Sequence, residues 1–161
     1  ESGGNYNAVI GDAHAAADLG AMTLSQIYGL MDTFKAANKP STATGRYQII
    51  RATLQGLQAS LKLGMDEMFT PALQDKLAVE LMVEQGYSKW WTGAMTDEDF
   101  AHGISMVWAS LPDPQNDGKS HYDGIGANHA STTIPAVYAV LQKARAAKGA
   151  VAPPLAPAPQ S

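Results

Sequence analysis

The sequence predicts a mainly α (α+β) domain, and three observations carry that prediction. Alanine, the residue with the strongest helix propensity, supplies 27 of the 161 residues. Apolar side chains recur at spacings of three and four through most of the chain, the period of helices with one buried face. Cap and breaker residues, with Thr before and Gly or Pro after, punctuate these stretches, so the pattern describes several separate helices.

Residues 1–21 are rich in Gly, Asn and Asp and hold one β-like run, Tyr6 to Ile10, which predicts a loop with a small hairpin. Thr23-Leu24-Ser25-Gln26 is a capping-box pattern, and Leu24, Ile27, Leu30, Met31 and Phe34 form the stripe of the helix it starts, fading before Asn38-Lys39-Pro40. A turn-prone stretch, Ser41 to Gly45, leads to a second helix over about 52–63, with Leu54, Leu57 and Leu61 inward and Gly64 as its stop. Thr70-Pro71 opens a central helix whose buried face is Leu73, Leu77, Ala78, Leu81 and Met82, ending at Gly86. Tyr87 to Met95 reads as a turn-rich segment. Thr96 caps a helix with Asp97, Glu98 and Asp99 in its first turn, where they complement the helix dipole. Its inward face is Phe100, Ile104, Val107, Trp108 and Leu111, and Pro112 ends it. Residues 112–130 form a long polar loop, and a last helix over about 134–148 buries Ile134, Val137, Tyr138 and Leu141. From Ala150 to Ser161 there are four prolines and no charge, the composition of an extended tail or linker, so the globular part is expected over 1–149.

Composition removes several function classes. Fifteen acidic against eleven basic residues give a net charge of −4, and no Lys/Arg cluster offers the positive field that a nucleic acid or an anionic membrane surface requires. No apolar run approaches the ~18 residues of a membrane span, so stable membrane insertion is not expected. The absence of cysteine excludes disulfides, thiolate catalysis and zinc sites with sulfur ligands. The sequence opens on Glu1 with no initiator methionine, which reads as a processed or trimmed product. Phosphate-binding glycine loops, GxSxG elbows and HExxH pairs are also missing.

The candidate chemistry is therefore carboxylate and imidazole chemistry. Of five glutamates, Glu67, Glu80, Glu84 and Glu98 sit in or beside helices at positions suited to exposed faces. Glu1 precedes Ser2-Gly3-Gly4, where a substrate chain can approach the backbone, and aromatic neighbours such as Tyr6 or Tyr47 would raise its pKa toward that of a general acid. Four histidines, His14, His102, His121 and His129, follow no metal-binding spacing, and the reading assigns no metal and no cofactor. One loop set, His121, Asp123 and His129, combines imidazole with carboxylate.

Four stretches in order, Glu1-Ser2-Gly3-Gly4-Asn5-Tyr6-Asn7-Ala8, Ser41-Thr42-Ala43-Thr44-Gly45-Arg46-Tyr47-Gln48-Ile49-Ile50, Thr70-Pro71-Ala72-Leu73-Gln74-Asp75 and Val107-Trp108-Ala109-Ser110-Leu111-Pro112, resemble the signature of phage lysozyme-like muralytic enzymes. The resemblance is nearest to lambda-type lysozyme, a peptidoglycan lytic transglycosylase, and it runs from Glu1 to about Gly149. It implies a lysozyme-like fold with a helical lobe, a smaller lobe with a short hairpin, and a glycan groove between them. It also implies that Glu1 is the catalytic acid, protonating the glycosidic oxygen between N-acetylmuramic acid and N-acetylglucosamine. The same carboxylate would take the proton of the muramoyl 6-hydroxyl, leaving a 1,6-anhydro end. The family's glutamate ends an N-terminal helix, whereas this sequence opens on it.

By family position Tyr47 and Gln48 should line the groove; Tyr122 and Asn128, in the long loop after Pro112, are expected at its rim. Arg46 is expected to brace a carboxylate, Gln74 and Asp75 to cap or pack, and Trp108 to lie in the core. A hydrolase would need a second carboxylate about 5–5.5 Å away as nucleophile or ~6.5–9.5 Å away as base. Asp12 and Asp18 are the candidates, but neither lies in a matched motif, which favours transglycosylation. The expected partner is a peptidoglycan glycan strand, met by a monomer at the host cell wall, in the periplasm of a Gram-negative host or from the virion. Two alternatives remain: an endopeptidase of the stem peptides that uses His121, Asp123 and His129 on a metal, and a non-catalytic glycan-binding virion module.

Overall fold

The computed structural model describes residues 2–12 and 17–147. Glu1, His14, Lys148 and the expected tail over 150–161 lie outside the described residues. The chain is mainly α, with helices α1 (Leu24–Ala36), α2 (Arg51–Leu61), α3 (Pro71–Glu84), α4 (Tyr87–Trp91), α5 (Asp97–Val107) and α6 (Ile134–Ala146). Two short 3₁₀ turns, Leu19–Ala21 and Pro114–Asn116, join them. The chain divides into two compact units, 1–80 and 81–161.

In the first unit, the capping box at α1 forms as its sequence dictates: Thr23 accepts from the Gln26 N–H, and Gln26 accepts from the Thr23 N–H at 2.9 Å. Leu24, Ile27 and Met31 are fully buried, each removal from water being worth roughly 1.5–3 kcal/mol. The α1 entry is stitched to the 65–69 segment, where Leu24 donates to Glu67 O and Phe69 donates to Met22 O, both at 2.8 Å. α2 is tied back to α1 by polar bonds. The Arg51 guanidinium meets Asp32 at 2.9 Å and donates to Tyr28 O at 3.0 Å, and the Tyr28 hydroxyl donates to Gln58 at 2.7 Å. This helix stops at Lys62, in the left-handed conformation at φ +54, two residues before the glycine expected to end it. A lysine in that conformation closes the helix because its N–H still reaches Ala59 O and Gln58 O.

The expected hairpin is reduced to isolated bridges. Val9 and Asp12 exchange both backbone bonds (3.0 and 2.9 Å), and Thr44 and Ile49 do the same at 3.1 Å each. Val9 also pairs with Thr44, Ile10 donates to Ala43 O and Gly45 donates to Ala8 O. The Tyr6–Ile10 run therefore serves as one side of a small three-part pairing that carries the Gly45-Arg46-Tyr47-Gln48 loop.

In the second unit, Tyr87–Trp91 is a one-turn helix, in place of the turn-rich segment expected. It delivers Trp90 and Trp91 to a buried cluster with Phe100, Ala101, Ile104 and Leu141, where Trp90 stacks on Phe100 at 4.9 Å. Asp97 accepts the Trp90 indole N–H at 2.8 Å, and Arg145 at the end of α6 donates to Trp90 O and Met95 O, each at 2.9 Å. α5 ends at Val107, short of Pro112. Trp108 turns extended (φ −120, ψ 106) and packs half-buried against the cluster from outside the helix, which corrects its expected place on the helical face. α6 opens on Thr133, which accepts from the Ala136 N–H, and Val137, Tyr138 and Leu141 face the cluster as the spacing predicts.

Two glycines test this account of the first unit. Gly45 sits at φ +82, and a Cβ there would lie 2.4 Å from the Gln74 side-chain oxygen. Gly45→Ala is expected to destabilise by about 1–3 kcal/mol from backbone strain, more if the Gln74 bonds break as well. Gly56, in α2 with open space around it, should respond oppositely, Gly56→Ala stabilising by roughly 0.5–1 kcal/mol. Urea denaturation of the two variants reads both signs, and a harmless Gly45→Ala would refute the loop geometry.

Candidate functional site

Three of the four signature stretches meet in the first unit, and their junction is the start of α3. Thr70 caps that helix by accepting from the Leu73 N–H at 3.1 Å, which aims the next turn, Gln74 and Asp75, at the loops before it. Gln74 is 1% exposed. Its oxygen accepts from the Arg46 N–H at 2.9 Å, and its amide nitrogen donates to Tyr6 O and Phe69 O at 3.1 Å each. One buried amide therefore binds the 2–8 segment, the Gly45–Gln48 loop and the α3 entry. The Gly45 backbone lies too close to this amide to carry a side chain.

Asp75 makes the second junction. Tyr6 and Tyr47 both donate their hydroxyls to its Oδ1, at 2.8 and 2.7 Å. The Tyr47 bond first and then the Tyr6 bond hold the Asp75 carboxyl below its ordinary value against desolvation, with a lesser contribution from the nearby Arg46 charge. Burial, the bond to Asp75 and the negative charge of Asp75 push the Tyr47 hydroxyl up to about 12. The Arg46 guanidinium lies over both rings, 5.0 Å from the Tyr6 centroid and 5.7 Å from that of Tyr47. At neutral pH Asp75 is thus an ionised carboxylate that accepts two phenol hydroxyls beside the Arg46 guanidinium. The group can orient hydroxyls and bind polar ligands, but Asp75 has no proton to give.

Gln48, at φ +49, donates its amide to Gly45 O at 2.8 Å and so closes its own loop. Ser2, the residue after Glu1, is buried, and its hydroxyl accepts from the Gly4 N–H at 3.2 Å. Asp12 is exposed on the Val9–Asp12 turn, and Asp18 caps the 3₁₀ turn by accepting from the Gly20 N–H at 3.1 Å.

The other predicted rim residues belong to the second unit. The Tyr122 hydroxyl donates to Met106 O, and Asn128 donates to Ile125 O at 2.7 Å on an exposed loop. The proposed peptidase set does not assemble. His121 bonds Asp113 at 2.7 Å, Asp123 faces Lys119 at 4.0 Å, and the His129 ring meets Ala127 O at 3.0 Å. Among the described residues, the group able to hold a metal is His102, Asp113 and His121. Sequence reasoning missed Asp75 and Tyr6 as partners of Tyr47, missed Asp113 altogether, and named His102 among the histidines without grouping it with His121. Asp75 stood inside a quoted motif, whereas Asp113, flanked by Pro112 and Pro114, offered only a turn signal.

A protein-family model described as Endolysin matches residues 30–139, about two thirds of the chain. The matched range includes Gly45-Arg46-Tyr47-Gln48, Gln74-Asp75 and Trp108 to Pro112, and it begins after the Glu1–Ala8 stretch. No curated protein and no solved structure matches the chain.

The Asp75 geometry fixes a pH dependence. Because its folded pKa is depressed, its contribution to stability is complete above the unfolded carboxylate value near pH ~4 and is lost as pH falls through the folded value. Asp75→Asn should lower the melting temperature at pH 7, and the gap to the native protein should close on acidification toward pH ~2. Parallel melting curves across that range would remove the carboxylate from this role.

Proposed function

The chain belongs to the endolysin family, cell-wall-degrading enzymes of phages that act on the host wall, and from that premise we propose that it cleaves the β-1,4 bond between N-acetylmuramic acid and N-acetylglucosamine as a lytic transglycosylase. In this reading Glu1, outside the described residues, is the acid and base. Its carboxyl proton passes to the glycosidic oxygen as the anomeric C–O bond breaks, and N-acetylglucosamine leaves as the 4-hydroxyl. The carboxylate then takes the proton of the muramoyl 6-hydroxyl while that oxygen bonds the anomeric carbon. The acid is regenerated, a 1,6-anhydro ring closes, and no water is consumed.

The observation that carries the proposal is the convergence of the signature stretches on Gln74 and Asp75. The segment that follows Glu1 and the loop that carries Tyr47 and Gln48 are bonded to the same two side chains. Residues far apart in sequence are thereby held as one polar surface, the preorganisation a positioned acid requires. Tyr47 and Gln48 are proposed to contact the glycan, Tyr47 through a hydroxyl kept protonated at working pH. Tyr122 and Asn128 are proposed as further glycan contacts. Of the two carboxylates in the signature stretches, Asp75 is engaged by the Tyr6 and Tyr47 hydroxyls, which supports a mechanism that uses Glu1 alone, since hydrolysis by retention or inversion uses two.

The catalytic domain is proposed to span 1–149, acting as a monomer on peptidoglycan strands, without nucleic acid or membrane insertion. No helix of the described residues is long and apolar enough to cross a membrane. The periplasm of a Gram-negative host is the proposed site, with carriage on the virion proposed as a second route of delivery.

Purified peptidoglycan digested by the protein should yield fragments ending in 1,6-anhydromuramic acid by mass spectrometry. Glu1→Gln should abolish their formation, with a loss of at least ~10²-fold in rate, the lower range for removing a general acid–base. Reducing ends in place of anhydro ends would make the enzyme a hydrolase. New free amino groups from cut stem peptides, or undiminished lysis by Glu1→Gln, would overturn the assignment.

A further inference from the structure

The second unit contains a polar cluster that the glycan chemistry does not use. Asp113 is 2% exposed, and its two carboxylate oxygens each meet one imidazole: His102 Nδ1 at 2.8 Å from Oδ1, and His121 Nδ1 at 2.7 Å from Oδ2. The three residues come from different places, His102 from α5 and the other two from either end of the 113–121 loop. That loop is itself rigid. Asp113 Oδ1 accepts the Gln115 N–H at 2.9 Å, Asp113 donates its backbone N–H to Lys119 O at 2.7 Å, and Pro112 pairs with Ser120. The Tyr122 ring meets the His121 ring edge-on at 5.0 Å and limits its rotation. His121 is 36% exposed, so one side of the cluster opens to solvent.

We propose that His102, Asp113 and His121 form a binding site for a divalent transition-metal ion of the zinc class, held by the two Nδ1 atoms and one Asp113 oxygen with solvent in the remaining position. The donor atoms all lie within 4.8 Å of one another, so a common centre is reachable from all three. Two imidazoles with one carboxylate suit zinc and its first-row neighbours and suit calcium or magnesium poorly, because those ions prefer an all-oxygen shell. With metal–ligand bonds of about 2.0–2.2 Å, the donors would stand roughly 3.3 Å apart, so the two Asp113–imidazole contacts of 2.8 and 2.7 Å would open by about half an ångström while any wider separation within the 4.8 Å cluster would close. Asp113 is buried, so water does little to screen its carboxylate from an ion bound beside it. The ion would cross-link α5 to the loop after Pro112, in a chain without cysteine to do so.

The test uses the metal itself. After treatment with a chelator and its removal, the protein is titrated with zinc by calorimetry and melted with and without it, and cobalt is added as a spectroscopic probe. One zinc per chain at micromolar affinity, a melting temperature raised by several degrees, and a visible cobalt band of tetrahedral character are expected. His121→Gln, at a partly exposed loop position, should weaken zinc binding by at least ~100-fold, more than loss of an outer-shell partner costs, and erase the band. His129→Gln should change neither. Zinc binding at millimolar concentration only, or an unchanged cobalt band in His121→Gln, would overturn the proposal. Because none of these readouts is lysis, the result stands apart from the glycan reading.

Discussion

The first unit depends on one buried amide. Gln74 is closed off from water, so its oxygen and nitrogen must both be satisfied within the protein, and an unmet buried polar group costs roughly 1–3 kcal/mol. It satisfies them with three backbone groups from three segments, the Arg46 N–H, Tyr6 O and Phe69 O. The interaction therefore sets geometry as much as stability. Shifting the Gly45 loop or the 2–8 segment would strand a donor or acceptor, and the two tyrosines reach Asp75 only because their backbones are fixed first.

Much of the fold could be read from the chain because it rests on local physics. The α1 capping box, the Thr70-Pro71 start, the acidic first turn of α5 and the inward face of α6 are all consequences of residues within four positions of each other. Three elements escaped the sequence. α2 ends at Lys62, whose left-handed cap closes on Ala59 O and Gln58 O two residues before Gly64. α5 ends at Val107, and the extended Trp108 packs against the second unit's core from outside the helix. Tyr87–Trp91 forms a helical turn that brings two tryptophans to Phe100. The last two involve packing contacts, which can outweigh a local preference worth only ~1 kcal/mol.

The candidate site divides in the same way. Tyr47 and Gln48 stood out through a motif, and the structure adds what no spacing could state, that Tyr47 shares its carboxylate acceptor with a tyrosine 41 positions earlier in the chain. Gln48 was legible as a residue but not as a conformation. Its positive φ turns its amide back onto the loop that carries it. The histidines show the opposite error. Proximity in sequence grouped His121 with Asp123 and His129, whereas the fold pairs it with an aspartate eight residues earlier and a histidine on a helix.

Charge scarcity ties these observations together. With 16% of its residues charged, the chain commits several carboxylates to structural bonds: Asp32 to Arg51, Asp75 to two tyrosines, Asp97 to Trp90 and Arg145, Asp113 to two histidines. The partners that make Asp75 and Asp113 structural also depress their pKa. For Asp113 desolvation works the other way and is overcome by the bonds from His102, His121 and the Gln115 N–H. A general acid needs the reverse, an environment that favours the protonated form near neutral pH. The two carboxylates most firmly embedded are therefore the two least fitted to protonate a leaving group. The proposed glycan cleavage would therefore draw its proton from a carboxyl outside these networks, and a mechanism in which one carboxyl both gives and takes the proton needs no second one from within them.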